Sequence, residues 1–234
     1  GVFLTSCNED ALSDNSIFDT ETPERNEFDN WLLTEYVDPY NINFKYRFED
    51  KESDQQYNLV PAEYGKSVAL AKLVKFLWLQ SYEELMDDNG EFIKTYCPKI
   101  ITLIGSKAYN PDSHSVVLGT AEGGLKVVLY NVNELDTENP DVEILNEWYF
   151  KTMHHEFAHI LHQTKNYPTE FNEISVSNYS PTGWMNRTNE QAQRMGFVGN
   201  YASSEAREDF VEVIANYLTR TDADWNEILR QAPF

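Results

Sequence analysis

Met153-His154-His155-Glu156-Phe157-Ala158-His159-Ile160-Leu161-His162 is the stretch on which the reading of this chain turns. It lies in a run without glycine or proline from Leu145 to Gln163, which predicts one helix over residues 143–163. Residues four apart on a helix stand one above the other on the same face. His155 and His159 therefore offer two imidazoles to one point in space. Glu156 sits one residue further round, within reach of a water held at that point. Two neutral nitrogen donors beside a carboxylate are the minimal kit for metal-assisted hydrolysis, with Zn²⁺ as the expected metal. By average composition, a chance H-E-x-x-H falls in roughly one chain per hundred of this length, so the surroundings must decide.

Working outward, the strongest other helix signal is Ser67–Met86, where Val68, Leu70, Leu73, Val74, Phe76, Leu77, Leu79 and Tyr82 recur at helical spacing. Strands are expected at Asn41–Phe48, Lys99–Ile104, Ser115–Gly119 and Leu125–Tyr130, the last opened by the Gly123-Gly124 turn. Leu125–Tyr130 immediately precedes the motif helix and is a candidate edge strand on which an extended peptide can pair, with an ordinary core strand as the alternative. After the motif helix comes a loop rich in Asn, Ser, Pro and Tyr, from Asn166 to Trp184. Helices near Asn189–Met195 and Ser203–Thr219 come next. Strands grouped ahead of helices give an α+β class, with a small mixed sheet packed on helices. Residues 1–26 are expected to be a tether and residues 27–234 a single domain.

Composition excludes some functions. The 234-residue chain has 39 acidic and 18 basic residues, a net charge of -21, which repels a phosphate backbone and argues against nucleic acid as a partner. With 41% hydrophobic residues it can build a core, yet no apolar run reaches the roughly 20 residues of a membrane span. The two cysteines, Cys7 and Cys97, form no metal knuckle. Leu4-Thr5-Ser6-Cys7 has the pattern of a bacterial lipobox, followed by a polar, acidic stretch suited to a tether. The expectation is a lipid anchor at Cys7, a place in the cell envelope, and no disulfide at Cys97.

A hydrolytic zinc site usually has three protein ligands and one open position. A third histidine six residues past His159 would stand at position 165, with glycine at 162. The residues there are Lys165 and His162, so that extension fails. His114, in a turn-like stretch, reads as a surface histidine. His154 and His162 read as neighbours of the ligands or as surface residues. A carboxylate on the helix at 206–219 is the better source. On a wheel of roughly 100° per residue, Phe210, Val211, Val213, Ile214, Tyr217 and Leu218 fill one apolar arc. Glu208 falls at its edge and Glu212 one turn later. Glu205 and Asp209 fall on the solvent side. Glu208 is favoured as ligand, then Glu212.

Tyr201-x6-Glu208-x3-Glu212 resembles the downstream helix of lethal-factor-type gluzincins. The whole chain resembles the zinc-binding metallopeptidase lipoproteins of Bacteroidetes, associated with outer-membrane substrate-import loci. That resemblance implies a zincin-like fold. It also implies Zn²⁺ on His155, His159 and Glu208, and Glu156 as general base. Tyr201 would be the oxyanion donor and Glu212 the partner of a ligand imidazole. The expected partners are a peptide or protein substrate and an outer-membrane import complex, with the protein itself a monomer. An accessory zinc-binding lipoprotein without catalysis is the alternative. Tyr179 and Trp184 are candidates to line a cleft.

Overall fold

The computed structural model describes residues 24–48, 59–109, 116–117, 119–122 and 126–232. Cys7, His114 and the Gly123-Gly124 turn lie outside them. The first helix runs over residues 27–40. Asn26 caps it: its side chain accepts from the Asp29 amide while the Asp29 carboxylate accepts from the Asn26 amide, a reciprocal capping box. Asn41 ends it in the left-handed region (φ 54°), which turns the chain into strand β1, Asn43–Lys45. The expected strand Asn41–Phe48 is thus real but shorter.

The helix expected over Ser67–Met86 spans 64–86. A π-helical turn at Lys75–Leu79 lies inside it. The extra residue in that turn rotates the rest of the helix about its axis. Trp78 and Leu79 are buried, whereas Phe76 and Leu77 face outward against the periodic expectation. Similar π turns sit at Leu33–Val37 and at Asn146–Phe150 in the motif helix.

Strand β1 pairs in parallel with β2 (Ile100–Leu103), and β2 in parallel with β6 (Lys126–Leu129). Strand β5 (Gly119–Glu122) pairs antiparallel with the other side of β6, giving the order β1-β2-β6-β5. A small hairpin of β3 (Ala108–Tyr109) and β4 (Val116–Val117) stands apart. Of the two readings of Leu125–Tyr130, the edge strand is the one that fails: β6 is an interior strand and β5 holds that edge, because the chain doubles back through β5 before β6. The sheet is small and mixed, as the α+β class requires. Ile101, Leu103, Val127 and Leu129 are buried on one face of it, in the main core, and Val128 on the other.

The motif helix, residues 142–164, is capped by Asp141, whose carboxylate accepts from the Glu143 and Ile144 amides. It has two unlike faces. Tyr149, Met153 and Phe157 recur every four residues and enter the main core. There Phe157 meets Trp78 edge-on at 5.3 Å and Tyr82 at 5.0 Å. His155, His159 and His162 occupy the opposite face. The helix Ala206–Thr219 packs across that face. Below it a second apolar cluster of Phe197, Val198, Ala202 and Ile228 supports the C-terminal part.

Candidate metal centre

The motif helix supplies His155 and His159; the crossing helix supplies Glu208. Their ligand atoms all lie within 4.8 Å of one another. Nε2 of His155 is 3.2 Å from Oε2 of Glu208, and Nε2 of His159 is 3.3 Å from the same oxygen. Zinc bonds of about 2.0–2.1 Å in a tetrahedron imply ligand–ligand edges of about 3.3 Å, so the two histidine–glutamate edges fit.

The far sides of both rings are engaged. Nδ1 of His155 is 2.9 Å from Oε1 of Glu212. The other oxygen of Glu212 takes Lys151 at 3.0 Å and Asn216 at 3.1 Å. Nδ1 of His159 is 3.0 Å from Nε2 of His162. With each Nδ1 occupied, both Nε2 lone pairs are left to converge. The donor set of two imidazoles and one carboxylate therefore suits Zn²⁺.

The electrostatics show the same pull towards a cation. Burial opposes charge on His155, yet the carboxylates of Glu208 and Glu212 outweigh it and raise its pKa to about 9. Against burial, His155 and His159 hold Glu208 well below the ordinary carboxylate range. Glu212 is likewise lowered to about 2, burial being overcome by Lys151 and His155. Glu156 differs. It is buried beside the two imidazoles, and burial pushes its pKa up. A carboxylate so placed is a better proton acceptor than one in water.

Tyr201 sits in a short turn ahead of the crossing helix, its ring 5.9 Å from that of His155. Burial and the Glu208 carboxylate push its hydroxyl pKa up, so it stays a donor. Trp184 packs edge-on against it at 4.9 Å. Tyr179 does not share that place; its ring tilts against Phe197 at 5.3 Å and its hydroxyl donates to Asp209 at 2.8 Å. His154 points away from the ligands. Its Nδ1 is 3.0 Å from the Tyr82 hydroxyl, and burial lowers its pKa to about 4.

Two expectations from the helical wheel are corrected. Asp209 is 5% exposed, not solvent-facing, and burial raises its pKa to about 6. Tyr217 and Leu218, placed in the apolar arc, are 61% and 49% exposed. The contact face is instead Glu208, Val211, Glu212, Ala215 and Asn216. Sequence reasoning also missed Lys151, although it stands four residues before His155, on the same helix face.

Two helices crossing to bring two histidines and one glutamate together, with a second glutamate beside them, define the zinc metallopeptidase class. The family described as "Putative zinc-binding metallo-peptidase" matches residues 21–233, and the chain belongs to it. The crystal structure of a protein from Bacteroides caccae that carries the same description is 51% identical, with a TM-score of 0.74. The match covers 92% of this chain and 80% of that one. Comparison with curated proteins finds no match.

Proposed function

We propose that the protein hydrolyses peptide bonds, with His155, His159 and Glu208 as the zinc ligands. The observation that carries this reading is Glu156, a carboxylate buried beside the converging imidazoles with a raised pKa. A site that only stores metal gains nothing from such a group. When bound, zinc supplies Lewis acidity, polarising the scissile carbonyl and acidifying water.

Glu156 takes the proton of the attacking water and hands it to the leaving amine. General base action of this kind is worth about 10²–10⁴-fold. Tyr201 donates a hydrogen bond from its hydroxyl to the carbonyl oxygen as negative charge builds there, keeping its own proton. Glu212 and Lys151 hold the His155 ring in place. Among the described residues β5 pairs on one side only, with β6, and it packs beside the motif helix. An extended substrate peptide adds to its outer side.

Leu4-Thr5-Ser6-Cys7 supports a lipid anchor at Cys7 and a place in the cell envelope, the protein working there as a monomer in nutrient import over residues 27–234. Zinc-loaded wild type and Glu156→Gln, compared on casein and a peptide library, test the reaction. Cleavage by the wild type alone is expected. Zinc bound by both with equal, negligible turnover would leave a metal-binding accessory protein instead.

A further inference from the structure

His162 stands outside the ligand set, yet it is 7% exposed. Its ring lies 5.3 Å from that of His159 at 66°, an edge-on approach that brings the two ring nitrogens to 3.0 Å. Three residues apart on one helix, the two side chains are neighbours on adjacent turns. On its other side the His162 ring meets Tyr167 at 5.8 Å. Tyr167 stacks on Phe210 at 4.5 Å, and Phe171 packs edge-on to Phe210 at 5.3 Å. Phe210 is two residues from Glu208. The His162 ring is thus wedged between a ligand and an aromatic column rooted in the helix that delivers the third ligand.

A hydrogen bond between two ring nitrogens holds one proton. Nε2 of His159 faces Glu208 and the metal position, so its lone pair must be free and the ring proton lies on Nδ1. His162 must then accept at Nε2 and carry its own proton on Nδ1.

We propose that His162 is a positioning residue for the metal: it accepts from His159 Nδ1–H, fixing the tautomer and aim of that ligand. The inference rests on the metal site proposed above. It also accounts for an asymmetry. His155 is held by an anion, Glu212, which is offset by Lys151. His159 is held by an imidazole. Glu156, Glu208 and Glu212 already crowd the site, and a fourth carboxylate would add repulsion. An imidazole acceptor orients His159 without adding negative charge.

Ring-nitrogen NMR of the ¹⁵N-labelled, zinc-loaded wild type at alkaline pH tests the tautomer directly. The expected result is His162 protonated at Nδ1 only and His159 protonated at Nδ1. Chelator competition then compares His162→Phe, which fills the space without an acceptor, with His162→Gln, whose carbonyl reaches to a similar distance. Zinc should bind about 10–100-fold more weakly to His162→Phe and within about threefold of wild type to His162→Gln. A proton on His162 Nε2 would overturn the proposal, as would undiminished binding by His162→Phe or equal losses in both variants. A wild type that binds no zinc tightly would instead sink the metal site itself.

Discussion

Oε1 of Glu212 lies 2.9 Å from Nδ1 of His155, a carboxylate set behind an imidazole whose other nitrogen faces Glu208. Because Glu212 is buried and also receives Lys151 and Asn216, its position is fixed from three sides. Glu212→Ala removes the acceptor and leaves the His155 Nδ1–H unpaired. Zinc affinity should fall about 10–100-fold, read by chelator competition. Glu212→Gln retains an acceptor and should lose less.

Glu208 contributes the anionic atom of the donor set, and both imidazoles are within 3.3 Å of it. Glu208→Ala should weaken zinc more than Glu212→Ala does, because it removes a ligand, not the support of one. Titration of the two variants under identical buffer gives the order. The reverse order would move the ligand role to Glu212.

Tyr201 approaches His155 without belonging to the converging group. Tyr201→Phe keeps the ring and its contact with Trp184 while removing the hydroxyl. Since the donor acts where charge builds up, kcat should fall about 10²-fold with KM nearly unchanged. Zinc content should equal that of the wild type. A rise in KM alone would mark Tyr201 as a substrate-binding group.

How far the sequence foretold this arrangement differs from helix to helix. The spacing of His155 and His159 sufficed for their shared face, since four residues make one turn. On the crossing helix, Glu208 was placed correctly at an edge, but the centre of the buried face was not. Asp209 and Glu212 are polar residues that become buried because Tyr179 and Lys151 meet them. Those partners come from distant segments or another helix, which a wheel does not contain. Tyr217 and Leu218 stay outward because the motif helix packs against Val211 and Ala215. The π turns at Lys75–Leu79 and Asn146–Phe150 shift register by a residue, something hydrophobic periodicity does not register. Strand order fared likewise: β6 looks like an edge from its place before the motif helix, and only pairing with β5 makes it interior.

The first helix gives a test away from the site. Asp29 accepts from the Asn26 amide at 2.9 Å, from the Tyr46 hydroxyl at 2.8 Å and from Arg47 at 2.6 Å, tying the first helix to the end of the β1 segment. Burial works against the charge, but these donors outweigh it and hold the pKa below the ordinary 3.8. A depressed acid stabilises the fold fully above its unfolded value, and that stability is lost as pH falls through the folded one. Asp29→Asn keeps the shape but weakens the acceptor and removes the charge. With the Arg47 pair largely screened by solvent, the cost should be about 1 kcal/mol at neutral pH. Urea melts of both proteins should show that gap constant from pH 7 down to near 4 and shrinking below it. A gap that persists in acid would mean that the cap's shape, and not its charge, ties the two segments together.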